Sequence, residues 1–182
     1  MHTHTIRAVL VVPLVVGALL VAGCGSSSSS SVSASSYVKG VCTSIGAWVK
    51  SVQARSTALT STNPTTPAQG KQEFVTFMNQ VVGDTNQALN SLKAAGVPNV
   101  GGGSQVANAV VGAMTSAKAI LVSAQAKAQQ LPTNDRTAFA NQTKDLGTSV
   151  QTSLSKIGSG LSSLKSADLE KAAAKEPACQ NL

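Results

Sequence analysis

Four long segments of this chain carry apolar residues at alternating spacings of three and four, and this pattern constrains the fold most strongly. Such spacing places apolar side chains along one face of an α-helix. In the first segment the apolar positions are Val38, Val41, Ile45, Trp48, Val52 and Leu59. Arg55 occupies one expected place in this stripe. The segment predicts a helix of about six turns that begins near Ser36.

The second segment has clear start and stop signals. Thr66 is a good N-cap and Pro67 suits the first helical position, while Gly96 followed by Val97-Pro98 is a conventional end. The apolar stripe between them is Phe74, Met78, Val81, Thr85, Ala88, Leu92 and Ala95. A long amphipathic helix is therefore predicted here.

The third and fourth segments predict two further helices, capped by Ser104 and by Thr133 or Asn134. The third stripe forms an unusually small face, with no aromatic and no leucine side chain: Val106, Val110, Ala113, Ala117, Ile120 and Ala124. The fourth is larger: Phe139, Thr143, Leu146, Val150, Leu154, Ile157, Leu161 and Leu164. A short helix from Ser166 to Lys175 follows, and Pro177 ends it.

An apolar run from Ala8 to Leu20 precedes these helices and leads into Leu20-Val21-Ala22-Gly23-Cys24. This stretch looks like a bacterial lipobox, at which a precursor is lipidated on cysteine and cut before it. The run is too short for a permanent membrane span. An ordinary secretory signal, cut near Ala22 or Gly23, is the alternative. The predicted domains are a signal peptide (1–23), the lipidated Cys24 with a flexible Ser/Gly tether (24–36) and a helical domain (37–182).

The three cysteines predict a single disulfide bond. With Cys24 carrying lipid, Cys42 and Cys179 remain, and two cysteines in an exported domain most simply form one disulfide. The fold prediction is all-α: an antiparallel up-down-up-down four-helix bundle with a short C-terminal helix, closed by this disulfide. In that topology the start of the first helix and the end of the fourth lie together, so the topology and the cysteine pair agree.

The chemistry-bearing residues argue against an enzyme. Both histidines, His2 and His4, lie in the predicted leader, which removes His-dependent nucleophilic catalysis and the commonest transition-metal ligand. The seven acidic residues mostly stand singly, where helix capping and solvation explain them. We therefore predict no catalytic residues, no metal and no cofactor. The net charge of +7 comes from scattered lysines without interleaved aromatics, so nucleic acid is not an expected partner.

Four residues are candidates for lining a ligand site. Trp48, on the first stripe, is either a core anchor or a stacking platform. Ala113, Ala117 and Ala124 either let helices approach closely or line an apolar cavity between them. Thr85 and Thr143, on otherwise apolar stripes, are expected to bond to the backbone.

Taken together, the leader, the serine tether, the Ala-rich helices and the distant pair of cysteines resemble small cell-envelope lipoproteins of actinobacteria. The resemblance implies export, diacylglycerol attachment at Cys24 and an extracytoplasmic helical domain on the cell membrane. It brings no catalytic residues and implies no defined activity.

The sequence thus predicts a membrane-anchored, non-enzymatic module that binds an envelope protein, polymer or lipid. The alternatives are a carrier of a lipid or other hydrophobic molecule between the helices, and an accessory or regulator of an enzyme. In the predicted topology, Leu59 to Thr66 and Leu131 to Asn134 point away from the membrane and meet a partner first.

Overall fold

The computed structural model describes residues 31–161, 166–180 and 182. The predicted helical class is confirmed, because most of these residues lie in five α-helices. In chain order the elements are β1 (Ser31–Val32), α1 (Ala34–Thr60), α2 (Pro67–Ala94), β2 (Val97–Pro98), α3 (Gly103–Ala128), α4 (Arg136–Leu161), α5 (Ala167–Ala173) and a 3₁₀ turn (Pro177–Cys179). Cys24 and the predicted signal peptide lie outside the described residues.

The described fold includes residues that precede the predicted domain boundary at Tyr37. The Ser33 hydroxyl accepts a hydrogen bond from the Ser36 amide and caps α1, which begins at Ala34. Ahead of it, β1 pairs in parallel with β2, with Ser31 opposite Val97. The Asn99 amide donates to the Val32 carbonyl at 2.8 Å. The last residues assigned to the flexible tether therefore belong to the fold, because backbone pairing and a cap satisfy their polar groups.

The predicted limits of the second helix are confirmed. The Thr66 side chain accepts from the Gln69 amide, and the Gln69 side chain accepts from the Thr66 amide in return, which completes a capping box. Pro67 holds the first position. Gly96 has a φ of 79°, the left-handed conformation that glycine adopts readily after a helix.

The starts of α3 and α4 differ from the prediction. Gly102, with φ of 73°, precedes α3, and Ser104 lies inside the helix. Gly103 lies so close to β2 that a Cβ there would approach the Pro98 carbonyl oxygen to 2.0 Å. At α4, Asp135 takes the capping role, because its Oδ1 accepts from the amides of Thr137 and Ala138.

The predicted disulfide between Cys42 and Cys179 is present, with a Cα–Cα distance of 5.1 Å and a sequence separation of 137. It joins the third turn of α1 to the 3₁₀ turn. Both α5 and the 3₁₀ turn pack against α1. The C-terminal segment is thereby held beside the beginning of the first helix.

Three groups of buried side chains form the core. The first group consists of Met78, Val81, Leu121, Ala124, Ala128, Leu131 and Leu146. The second consists of Ala88, Leu89, Leu92, Met114 and Ala117, with Trp48, Leu154 and Ile157 packed against it. The third, near the disulfide, consists of Tyr37, Val38 and Ala107 with Leu169 of α5 against it. When the partly buried side chains packed against them are included, each of the first two groups combines side chains from α1, α2, α3 and α4.

The inner face of α3 differs from its predicted stripe. Ala117 and Ala124 are buried as expected, but the rest of the buried face is Ala107, Met114, Leu121 and Ala128, whereas Ala113 and Ile120 are only half-buried. This face is offset by one residue from Val106, Ala113 and Ile120. The apolar side chains of α3 lie on most of its faces. Among the described helices it is the one that is long and apolar enough, by length and composition alone, to cross a membrane. In the fold it packs against α2 and α4.

Candidate functional site

An open groove lies between the last turns of α1, the connector 61–66 and the first turns of α2. Its volume is about 540 Å³, within the usual range for small-molecule sites. Arg55 and Leu59 form one side, Pro64 lies at the end, and Glu73 and Phe77 form the side contributed by α2. The site is thus built by the first two helices and the loop that joins them.

The loop at the end of the groove is fixed by local hydrogen bonds. The Thr62 hydroxyl donates to the Leu59 carbonyl at 2.7 Å, and the Thr65 hydroxyl donates to Gln69 Oε1 at 2.7 Å. The Arg136 guanidinium donates to the Thr65 carbonyl at 2.6 Å and thereby connects the loop to the start of α4. Pro64 further restricts the backbone. The groove is therefore largely preformed.

Arg55 makes an ion pair with Asp84 across α1 and α2. Its Nε donates to Oδ2 and its Nη2 donates to Oδ1, the latter at 2.9 Å. The Ser51 hydroxyl also donates to Oδ2, at 2.6 Å. The two side chains are 31% and 15% exposed, so the pair is partly shielded from solvent. It fixes the Arg55 side chain in the wall of the groove.

The ion pair changes the pKa of both partners. The hydrogen bond from Arg55 lowers the pKa of the Asp84 carboxyl from its ordinary value, against the opposing effect of burial, and the Ser51 hydroxyl adds to the lowering. The same hydrogen bond raises the pKa of Arg55. Both groups stay charged at neutral pH, and their charges offset each other.

Glu73 is the carboxylate in the lining of the groove. Its Oε2 is shielded from solvent and has no hydrogen-bond partner in the described part of the chain. A shielded polar atom without a partner carries a desolvation cost that no hydrogen bond offsets. The groove therefore contains a polar group that the surrounding residues leave unsatisfied.

Amide and hydroxyl groups supply most of the other polar atoms. Asn63, Gln72 and Gln80 line the groove with groups that both donate and accept, and Thr76 adds a hydroxyl. The ring of Phe77 forms an apolar part of the wall and stacks on Phe74, with centroids 6.1 Å apart. The lining thus combines dual-function polar groups with an aromatic surface.

The four sequence-predicted lining residues do not meet in this groove. Trp48 packs on the second core group and donates from Nε1 to the Thr85 hydroxyl at 2.9 Å. Ala117 and Ala124 are buried in two different core groups, and Ala113 is half-buried on α3. Ala124 also borders a shallow groove between α3 and α4.

The two stripe threonines behave as expected from the sequence. Thr85 is fully buried, and its hydroxyl donates to the Val81 carbonyl at 2.7 Å. The Thr143 hydroxyl donates to the Phe139 carbonyl at 2.8 Å. Backbone bonding satisfies both, as predicted.

A second, more apolar groove of about 260 Å³ lies at the disulfide end, between α1, α3 and α5. Val38 and Val41 of α1, Val110 of α3 and Leu169 of α5 line it. Tyr37 also borders it, and burial raises the pKa of its phenol. Within the described residues, no three His, Cys, Asp or Glu side chains are grouped closely enough to hold a metal ion.

Sequence reasoning missed the polar groove, although one signal for it was visible. Arg55 interrupts an otherwise apolar stripe, and the structure shows that it faces Asp84 and the groove rather than the core. The sequence also predicts that the loop from Leu59 to Thr66 meets a partner first, and this loop contributes five residues to the lining of the groove: Leu59, Thr62, Asn63, Pro64 and Thr65.

Comparison with known proteins gives no relative: no family model, no curated protein and no solved structure matches this chain.

Proposed function

We propose that this chain is a lipid-anchored, non-enzymatic binding module on the extracytoplasmic face of the cell membrane, and that it binds its ligand in the groove formed by α1, α2 and the connector 61–66. Cys24 carries the lipid, the residues before it form the signal, and the Ser/Gly segment after it is the tether. The observation that carries the binding role is the preformed groove with the unsatisfied Oε2 of Glu73.

The proposal includes the antiparallel up-down-up-down arrangement of the four long helices. Support comes from the composition of the core groups. The first group combines Met78 from the first half of α2, Leu121 from the second half of α3 and Leu146 from the first half of α4, with Val52 of α1 against it. Alternate halves of successive helices meet in one layer, as expected for antiparallel neighbours.

This arrangement separates the anchor from the groove. The chain enters beside the disulfide, at the start of α1, whereas Leu59 and Pro64 in the groove lie at the other end of that helix. With 27 residues, α1 is about 40 Å long. The groove therefore faces away from the membrane and is open to components of the envelope.

The residues of the groove favour binding over chemistry. Hydrolytic carboxylate pairs need two acids that converge on one bond. Here Glu73 is the acid in the lining, whereas Asp84 lies about 16 Å further along α2 and is held in the ion pair with Arg55. The arrangement suits recognition by hydrogen bonds, with the ion pair as a neutral structural element.

Two measurements on the full chain test the proposal. Mass spectrometry of protein extracted from membranes should find an N-terminal Cys24 that carries diacylglycerol; an unmodified terminus near Ala22 or Gly23 contradicts anchoring. A photo-crosslinker at the exposed Gln72 should capture an envelope component that the same group at Ser116, exposed on α3, does not. Equal capture from both positions contradicts a role for the groove.

The second candidate function is a carrier for a hydrophobic small molecule, favoured by the apolar groove between α1, α3 and α5. Displacement of a fluorescent fatty acid is the direct test. Val110→Asp, which places a charge in this groove, should abolish fatty-acid binding, whereas Val122→Asp, at a position 42% exposed on α3, should not. Undiminished binding by the Val110 variant rejects this function.

A further inference from the structure

We propose that the groove between α1, α2 and the connector 61–66 binds a neutral oligosaccharide, with Glu73 accepting hydrogen bonds from sugar hydroxyls. This inference rests on the proposed function, which makes the groove the ligand site, and it names the chemical class of the ligand. It follows from the charges, the polar groups and the apolar surface of the lining.

The charges of the groove do not favour a strongly anionic ligand. Arg55 is the cation in the lining, and both of its observed donor atoms are bound to Asp84. Glu73 contributes a negative charge that no neighbouring cation offsets within the described ion pairs. Arg136 adds a positive charge at the loop, where it bonds to the Thr65 carbonyl. The charges around the groove therefore balance, so no excess of positive charge favours a phosphate or a polyanionic chain, whereas an uncharged ligand with many hydroxyls needs none.

The polar groups match vicinal hydroxyls. Each sugar hydroxyl both donates and accepts. The side-chain amides of Asn63, Gln72 and Gln80 each offer donors and an acceptor. Glu73 supplies an acceptor whose Oε2 lacks a donor. A hydroxyl that donates to this carboxyl makes a charge-assisted hydrogen bond, which is stronger than one between neutral groups.

The apolar part of the wall suits the C–H face of a sugar ring. Phe77 contributes an aromatic ring, and Leu59 and Pro64 continue the apolar surface toward the loop. The negatively polarised face of an aromatic ring attracts the positively polarised C–H groups of a sugar. Polar edges and an apolar face are thus presented to the same ligand.

Because the loop is already ordered, a ligand that makes few contacts can still bind. The bonds from Thr62 to Leu59 and from Arg136 to Thr65 already order the end of the groove. Binding then avoids most of the entropy cost of ordering a loop.

The test uses the full lipidated chain in a detergent without a sugar head group, such as lauryldimethylamine oxide. Maltotriose, cellotriose and triacetylchitotriose are the probes, with trialanine and triglutamate as peptide comparisons, and calorimetry gives the dissociation constants. At least one trisaccharide should bind. Glu73→Gln should weaken its binding about tenfold or more, because it replaces a charge-assisted hydrogen bond.

The matched control is Glu170→Gln, the same change on the exposed face of α5, which should leave binding unchanged. Gln72→Ala alters an exposed side chain and keeps the test valid if Glu73→Gln misfolds. Phe77→Leu should weaken binding by a few-fold, because it keeps an apolar side chain and removes the ring.

The outcomes separate this inference from the proposed function. Trisaccharide binding that both Glu73→Gln and Gln72→Ala leave intact places the sugar elsewhere and overturns the inference. Binding of a peptide but of no trisaccharide, with loss in Glu73→Gln, overturns the sugar class and leaves the groove as a binding site. Binding of none of the probes overturns the inference, and the crosslinker comparison between Gln72 and Ser116 then decides the proposed function separately.

Discussion

The indole nitrogen of Trp48 donates a hydrogen bond to the hydroxyl of Thr85, a fully buried residue of the neighbouring helix. The same hydroxyl donates to the Val81 carbonyl. One threonine oxygen therefore satisfies a tryptophan on α1 and is itself satisfied within α2. This contact sets the position of α1 against α2 beside the second core group.

Replacing Thr85 by valine should destabilise the fold by about 1 to 3 kcal/mol, because the Trp48 N–H then loses its partner in a shielded place. Thr143→Val is the matched control. Among the described residues its hydroxyl bonds to one helix carbonyl, that of Phe139, so the cost should stay below about 1 kcal/mol. Urea unfolding followed by circular dichroism gives both values, and equal costs for the two variants would argue against the Trp48 contact as the cause.

The Arg55–Asp84 ion pair predicts a specific dependence of stability on pH. Because the folded-state pKa of Asp84 is lowered, its contribution is complete above the ordinary Asp pKa of about 3.9 and is lost as pH falls through the lower folded value. The difference in unfolding free energy between the natural chain and Asp84→Asn should therefore be constant near neutral pH and shrink below about pH 4. A difference that grows on acidification would contradict this assignment.

The coupling within this pair should be modest. A double-mutant cycle with Arg55→Met and Asp84→Asn should give about 1 kcal/mol at neutral pH, because the groups are partly exposed. The value should fall when salt is added. A coupling near zero would show that the pair positions Arg55 in the groove without adding stability.

Of the changes considered, removing the disulfide should lower the free energy of unfolding the most. Its sequence separation of 137 corresponds, in the chain-entropy model, to about 5 kcal/mol as an upper value. Cys42→Ala with Cys179→Ala, made together so that no free thiol remains from the pair, should lower the melting temperature strongly. Hydrogen exchange should rise first in α5 and the 3₁₀ turn, since both pack against α1 beside the bond. Uniform exchange across all helices would contradict this local role.

Replacing each of two glycines of α3 by alanine should change the stability of the fold in opposite directions. At Gly103 a Cβ would meet the Pro98 carbonyl oxygen at 2.0 Å, so backbone must shift, and Gly103→Ala should destabilise by about 1 to 3 kcal/mol. At Gly112 nothing lies within 4 Å of the added atom, so Gly112→Ala should stabilise by about 1 kcal/mol through helix propensity. Thermal unfolding of the two variants side by side measures both signs.

The helices of this chain were predictable because their signals are local. Thr66, Pro67 and Gly96 define the limits of α2, and its stripe from Met78 to Leu92 is buried as the spacing predicts. The inner face of α3 was not predictable from spacing. Apolar residues occur on most sides of that helix, so contacts with α2 and α4 decide which of them turn inward.

The polar groove lay beyond sequence reasoning for a different reason. Glu73 and Arg55 are 18 positions apart in the sequence, and only the packing of α1 on α2 brings them to one surface. The N-terminal pairing was equally hidden, since Ser31–Val32 resembles the serine-rich tether in composition and is ordered through β2. Non-local contacts of this kind leave no periodic signal.

The parallel pairing of Ser31–Val32 with Val97–Pro98 has a mechanical consequence for an anchored protein. Tension transmitted from Cys24 would act on this short ladder and on the first turn of α1 before it reached the core. The Cys42–Cys179 bond follows in the chain, and it links the end of α1 that would bear this force covalently to the C-terminal segment. If Cys24 is anchored as proposed, a pulling force would therefore act first at the start of α1, at the opposite end of that helix from the groove.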